Sequence, residues 1–367
     1  MIDSSSDQTR RTRQHFDRSI SAREYPGIQY FALGPTGVIY QYAGGWADIR
    51  NRRRMDFSTT MMAYSMTKTL TAAAILQLVE AGEIHLDDSV PKYFPASPYG
   101  RSMTVRHLLS QTSGIPNPIP FRWVHPVRQH ASFDEDQALK AVLQKNPKLL
   151  FAPGTKCRYS NISYWILGRI LESITGKTFS EYVAENIFQP LRLSKEQAAF
   201  AIPDEARHAK GYLGRYTLMN FAKSFLVDRE FIGEYEDAWL HIRDHHPNGA
   251  SFGGLIATAQ AISVFLRDQL SETSILFNAD TKELFFSQQK IVTGEPINMT
   301  LGWHIGKLKT VQHFYKEGGG GGYHAEMRIY PSRRIATVIM VNETSSRCTK
   351  LQDRIDTVLV LEDSTSR

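Results

Sequence analysis

The chain has 367 residues, 42% hydrophobic and 22% charged, a balance that excludes a disordered chain and allows one large unit or two domains. A formal net charge of +6 raises the question of nucleic acid, but the basic residues are scattered. The densest clusters, Arg10–Arg13 and Arg50–Arg54, are short, lack an aromatic platform and read as solvated surface, so no nucleic-acid partner is expected.

The amino end, MIDSSSDQTRRTRQHF, lacks the apolar segment of a secretory signal, and no apolar run is long enough to span a membrane. The expectation is a cytoplasmic protein with no membrane partner. Cys157 and Cys348 cannot build a disulfide framework and read as two buried free thiols of a reducing compartment. No internal repeat is visible.

Along the chain, GIQYFAL (27–33) and GVIYQYAGGWADI (37–49) flank Gly34-Pro35-Thr36-Gly37, a hairpin signal. Residues 65–82, SMTKTLTAAAILQLVEAG, are rich in Ala and Leu and end at a glycine, which predicts a helix. Residues 161–176 set Ile162, Trp165, Ile166, Ile170 and Ile174 at helical spacing and again end in glycine. Further helical pattern follows at 178–188 and 257–270. The runs 299–306, 310–317, 322–331 and 334–342 are short, alternating and turn-separated, which predicts strands, and a helical pattern extends from about Cys348 to Leu361.

The resulting fold class is α/β plus an all-helical region. Residues 1–64 and 250–367 supply an antiparallel sheet built from both chain ends and flanked by terminal helices. Residues 65–249 form a mainly helical domain inserted into it. The cleft between the two is the expected place for a site.

Ser65-Met66-Thr67-Lys68 opens the first long helix. Residues i and i+3 share a helix face, so the Lys68 amine can reach the Ser65 hydroxyl. A lysine desolvated between domains loses basicity and can take the serine proton, giving a compact nucleophile–base pair. Two further copies of the pattern, Ser89 to Lys92 and Ser287 to Lys290, lack the context: Pro91 interrupts one, and no long apolar helix follows the other.

Tyr159-Ser160-Asn161 precedes the Trp165 helix. A buried tyrosine beside two ammonium groups would have a lowered pKa and shuttle a proton, while Asn161 would orient a carbonyl or amide. The plainer reading is a tyrosine packed at a domain junction. Lys316-Glu317-Gly318 opens a run of five glycines, 318–322. A P-loop is excluded by order, because its lysine follows the glycines and enters a helix. A strand edge close to a ligand fits better.

Other candidates are weaker. Gly249-Ala250-Ser251-Phe252-Gly253 has the spacing of a nucleophile elbow, but the preceding WLHIRDHHPN is polar rather than an apolar strand. His241, His245 and His246 could hold a metal, yet no third ligand with diagnostic spacing accompanies them, and their surroundings read as solvent-facing. His304, His313 and His324 fall on predicted strands, and His324 stands near the glycine rim.

Ser-x-x-Lys, Tyr-x-Asn and Lys-x-Gly, in that order, resemble the serine β-lactamase and penicillin-binding-protein superfamily. The likeness is closest to class C β-lactamases and the β-lactamase-fold (family VIII) carboxylesterases. SMTKTLTAAAILQLVEAGEIHLDDSVPKYFP (65–95), VRHLLSQTSGIP (105–116) and GGLIATAQAISVFL (253–266) also look like this family, so the resemblance covers about residues 20 to 345.

It implies Ser65 as the acylated nucleophile, Lys68 as its base partner, Tyr159 as proton acceptor and donor, and Asn161 as a substrate contact. It places Lys316 on the inner strand, steadying that network and contacting anionic substrate groups, with the backbone N–H groups of Ser65 and Gly319 as the oxyanion hole. Glu317, where β-lactamases usually carry a small hydroxyl residue, would repel a substrate carboxylate. Glu317, Gly318 and Gly319 are expected among the substrate contacts, the bare rim from Gly319 to Gly322 suits varied acyl groups, and Phe121 and Trp123 are expected as apolar contacts.

The expected activity is hydrolysis of small carboxylic esters through an acyl-enzyme, with weak β-lactam hydrolysis beside it. No metal or organic cofactor is expected, and the partner is a small-molecule ester or amide. The alternatives are a β-lactamase, a D-amino-acid-specific peptidase, or a non-catalytic penicillin-recognising binding protein. The binding protein would be marked by loss of Ser65, Lys68, Tyr159 or Lys316, all of which are present.

Overall fold

The alternating runs at the two chain ends pair into one antiparallel sheet. The computed structural model describes residues 4–118, 122–217, 219–221, 228–344 and 347–362. Strands β1 (Gly27–Gly34) and β2 (Gly37–Asp48) form the expected hairpin, and the short β3 (Arg53–Arg54) continues its edge. The carboxyl end supplies β4 (His304–Leu308), β5 (Val311–Gly320), β6 (Tyr323–Tyr330) and β7 (Ile335–Val341). The order across the sheet is β4-β5-β6-β7-β1-β2-β3, so the chain ends meet at its centre, where Ile28 faces Val341.

The strand expected at 299–306 begins only at His304. Gly302 takes a φ of +114°, Trp303 turns fully into the core, and a bridge between Met299 and His304 closes the loop.

One face of the sheet carries α1 (Ser4–Ser21) and, within the last helical stretch, α5 (Arg347–Asp356). Phe16 of α1 stacks on Tyr42 at 4.4 Å between ring centroids and sits among Tyr30 and Tyr40. On α5, Leu351 and Ile355 join Ile28, Ile339 and Val341 in the same apolar layer. Arg328 on β6 is buried in this layer, 2.6 Å from Glu326 and 2.7 Å from Asp353. Asp356 accepts hydrogen bonds from Tyr30, Tyr330 and Thr337 at 2.7–2.9 Å.

The other face carries α4 (Ala259–Leu270), and α2 (Thr67–Glu80) and α3 (Asn161–Thr175) pack against each other in the same core. Every residue of α2 from Thr67 to Leu76 is buried, as expected of a helix apolar on all sides, and the small Ala and Thr side chains let its neighbours close on it. It stops before Gly82, at φ +74°. The start of α3 is capped by Ser160, whose hydroxyl accepts from the Ser163 N–H, and its end by Gly176 at φ +68°.

Residues 65–249 are not helical throughout. Gly211–Gly214, Ile232–Glu236 and Trp239–Ile242 form a three-stranded antiparallel sheet, and His245–Pro247 pairs with Val124–Pro126. Two readings are corrected here. The HIRDHHP segment does not face solvent as a whole, since this pairing buries His245 and His246. Cys157 is exposed in the extended segment before α3, and of the two free thiols only Cys348 is buried.

The buried histidines have a pH consequence. Burial lowers His125 to about 4, His208 to about 3 and His246 to about 2, from an ordinary 6.5. The unfolded chain therefore binds protons at these sites that the folded chain refuses. Their stabilisation is full above pH 6.5 and falls by about 1.4 kcal/mol per pH unit per group as pH drops towards the folded values. Asp244, raised by burial to about 6, opposes this, while His241 at about 4, His304 at about 3 and His313 at about 4, all lowered by burial, add to it. The expected outcome is a lower urea midpoint at pH 5 than at pH 7. An unchanged midpoint would show that these imidazoles are hydrated in the folded state.

Candidate active site

Ser65 is held in a turn fixed on both sides. Met61–Met62 pairs with Ile256–Ala257, and the Ala63 N–H donates to Leu255 O at 2.8 Å. A 3-10 turn, Tyr64–Met66, then leads directly into α2. The Thr67 hydroxyl donates to Tyr64 O at 2.5 Å and accepts from the Leu255 N–H at 3.0 Å, which locks the turn to the neighbouring chain.

One helical turn on, Lys68 Nζ lies 2.9 Å from Ser65 Oγ, 2.7 Å from Asn161 Oδ1 and 2.6 Å from Phe252 O. These three acceptors match the three donors of an ammonium group and fix its position. Burial, and then the charge of Lys316, hold the Lys68 pKa well below its ordinary value, which favours the free amine over the ammonium form.

The Tyr159 hydroxyl is 2.6 Å from Ser65 Oγ and 3.3 Å from Asn161 Oδ1. Both amines lie against its ring, Lys68 Nζ at 4.9 Å and Lys316 Nζ at 5.4 Å from the ring centre. The lowered tyrosine pKa expected from the sequence is not found. Burial raises it, and the Ser65 hydrogen bond only partly counters that. Burial lowers both amines as well, with Lys316 pushed down to about 7, and neither offsets the cost of a buried phenolate.

Lys316 faces Tyr159 and Tyr164 from β5. Its Nζ is buried and has no hydrogen-bond partner among the described residues. Lys316 is fully buried and does not itself line the cavity beside Ser65.

The glycine run opens on the free edge of β5. Strand β4 covers β5 only as far as Tyr315, which leaves Lys316–Gly320 uncovered on that side. A methyl group at Gly318 would clash with the Ala63 carbonyl oxygen and stand 3.0 Å from Ser65 N, so only glycine lets the strand lie against the nucleophile turn. At the hairpin tip, Gly322 has φ +89° and packs on Gly211.

Glu317 and Gly318, expected as substrate contacts, do not line the cavity beside Ser65. Successive strand residues point to opposite faces, so Glu317 turns away from the Lys316 side and accepts a hydrogen bond from His324 Nε2 at 2.6 Å. That bond lowers the Glu317 pKa.

The cavity has a volume of about 530 Å³. Ser65, Tyr159, Asn161 and Gly319 stand at its wall with Trp123, and His324 also reaches it. Phe121 lies outside the described residues. The rest of the wall is mostly apolar, with Phe252, Phe231, Leu213, Ile232 and Ile242, and it also includes Tyr64, His245, Tyr323 and Thr344. None of the described lining residues bears a carboxylate, an ammonium or a guanidinium group. Leu213, Phe231 and Ile242 belong to or adjoin the three-stranded sheet and were missed in the sequence, where the apolar positions of GYLG and WLHI were the available signal.

Ser251 is buried between helices, its hydroxyl donating to Tyr164 O at 2.9 Å, and does not line the cavity. Among the described residues no group of three or more His, Cys, Asp or Glu side chains is arranged to hold a metal.

Comparisons with known proteins bear on the family and the fold. The Beta-lactamase family model matches residues 12–359. Penicillin-binding protein 4* of Bacillus subtilis is 23% identical over 312 residues, covering 83% of this chain and 66% of that protein. The flp protein of Staphylococcus aureus is 27% identical over 173 residues, 46% of this chain and 34% of its own length. The chain thus spans about two thirds of the first relative and about one third of the second.

Among solved structures, the octameric penicillin-binding protein homologue of Pyrococcus abyssi superposes with a TM-score of 0.78 at 21% identity, covering 96% of this chain and 77% of that one. D-amino acid amidase of Ochrobactrum anthropi SV3, complexed with D-phenylalanine, gives 0.80 at 20% identity, covering 97% and 100%. These two likenesses carry the fold, and the family match spans nearly the whole chain. The chain belongs to the β-lactamase family, within the serine β-lactamase and penicillin-binding-protein superfamily.

Proposed function

We propose that the protein is a serine carboxylesterase that hydrolyses uncharged, apolar esters through an acyl-Ser65 intermediate. The observation that carries this reading is the opening of the Ser65–Lys68–Tyr159 network into a cavity whose described wall is mostly apolar and bears no carboxylate, ammonium or guanidinium group. A substrate carboxylate or ammonium would lose its hydration there without gaining a partner.

In the proposed cycle Ser65 Oγ attacks the ester carbonyl carbon as its proton passes to the Lys68 amine, 2.9 Å away. The oxyanion is received by the Ser65 and Gly319 N–H groups, each contributing about 3 kcal/mol to the barrier reduction. The C–O bond then breaks. The leaving alkoxide takes the Tyr159 proton, and Tyr159 is reprotonated from Lys68. Water attacks the acyl-enzyme, its proton returns through the same pair, and the acid leaves. A tyrosine with a raised pKa suits the donor step, because it reaches the leaving group still protonated.

A second reading, amide hydrolysis, is favoured by the likeness to the Ochrobactrum D-amino acid amidase along the whole chain. The two are separated by comparing p-nitrophenyl butyrate, D-phenylalanine amide and a chromogenic cephalosporin, with intact-mass detection of the adduct. The expected result is a kcat/KM for the ester at least about 100-fold above the other two, with a butyryl adduct on Ser65. Faster turnover of the amide or the cephalosporin would overturn the esterase reading.

A further inference from the structure

Tyr64 is the residue before the candidate nucleophile, and the proposed chemistry gives it no role. Its backbone has φ +43°, a left-handed conformation that a bulky residue rarely adopts. Its ring lies on the glycine rim: a methyl group built at Gly320 would stand 2.5 Å from the Tyr64 ring. Its hydroxyl donates to Gly321 O at 2.7 Å and lies 3.1 Å from His245 Nε2. His245 Nδ1 is 2.9 Å from Arg243 O, which makes Nδ1 the protonated nitrogen and Nε2 a second acceptor that shares the single Tyr64 hydroxyl hydrogen with Gly321 O. Tyr64 is buried, and only its cavity-facing part contributes to the wall.

Both ends of this side chain touch the candidate oxyanion hole. Through the backbone Tyr64 is bonded directly to Ser65. Through ring and hydroxyl it holds Gly320 and Gly321, the two residues after Gly319. Burial raises its own pKa, so it stays a neutral donor.

We infer that Tyr64 is a positioning residue, a clamp that fixes the spacing between the Ser65 and Gly319 N–H groups by tying the nucleophile turn to the glycine rim. The inference rests on the acyl-Ser65 reading. It also accounts for Gly320, where any side chain would push the ring off the rim.

The test uses Tyr64→Phe, which keeps the ring and removes the hydroxyl, and Gly320→Ala, which displaces the ring. Both are assayed with p-nitrophenyl butyrate and compared with Ser65→Ala. Affinities for an alkyl boronic acid, a mimic of the tetrahedral intermediate, and for butyrate, the product, are measured alongside. The expected result is a fall in kcat of about 10-fold or more with KM within about 2-fold, as misplaced oxyanion donors would give. Boronate affinity should fall in step with kcat/KM, and butyrate affinity should not move.

If Tyr64→Phe and Gly320→Ala are folded and turn over within about 2-fold of the unaltered protein, the clamp is refuted. Equal losses of boronate and butyrate affinity would show a general loosening of the cavity and refute it as well. Should Ser65→Ala itself retain activity, the acyl-enzyme reading fails, and that result is distinct from either outcome for Tyr64. The two variants act on opposite partners of one contact, so a folding failure in one leaves the other to decide.

Discussion

Ser65→Ala is expected to abolish turnover of an activated short-chain ester, a loss of about 10⁴-fold or more, whereas Ser251→Ala keeps activity within about threefold. The asymmetry follows from placement. Ser65 Oγ is within hydrogen-bond reach of both Lys68 Nζ and Tyr159 OH and opens on the cavity. Ser251 spends its hydroxyl on the Tyr164 carbonyl inside the helical core. The measurement is steady-state hydrolysis of p-nitrophenyl butyrate, with circular dichroism to confirm folding. Complete loss in a folded Ser251→Ala variant would overturn the assignment of the nucleophile.

Arg328→Met is expected to destabilise the fold by about 3–5 kcal/mol, the cost of stripping a buried ion pair of one partner. Its guanidinium is the positive charge among Glu326, Asp353 and Asp356, and two of these carboxylates are almost wholly buried. Removing it leaves Glu326 and Asp356 charged or forces them to take up protons. Asp356 already has its pKa raised by burial. Arg106→Met serves as the control: its partner Asp87 is largely exposed, and such a pair contributes about 0–1 kcal/mol. Urea unfolding followed by tryptophan fluorescence gives both values. Equal, small changes would mean that the Arg328 cluster is hydrated and does not pin α5 to the sheet.

Parts of this arrangement were legible in the amino-acid sequence because each rests on local chemistry. The β1–β2 hairpin follows from two apolar runs around a Gly-Pro-Thr-Gly turn, and α3 follows from isoleucines at helical spacing ended by Gly176. The approach of Lys68 to Ser65 follows from i, i+3 geometry alone. Other features depend on distant partners. The tyrosine pKa was misjudged because the charge states of Lys68 and Lys316 are set by burial, which no motif encodes. Glu317 could be placed only once the pleat of β5 and its contact with His324 were known. The three-stranded sheet was missed because its strands are four or five residues long and its segment reads as polar. Tyr64 carries no sequence signal beyond its position before Ser65.

The meeting of the chain ends at the β7–β1 pair also governs how the protein comes into being. Ile28 and Val341 are far apart in the sequence, so the centre of the sheet cannot close until residue 341 has been made. Contacts of such long range are formed against a large loop-closure entropy and make for slow, late condensation. The candidate site shares this dependence, because Tyr64 to Lys68, Tyr159 to Asn161 and Lys316 to Gly321 come from three well-separated stretches. A nascent chain leaving the ribosome carries its serine early and its glycine rim late, and during that interval the apolar faces of α2 and β1 depend on other proteins or on speed to stay out of aggregates.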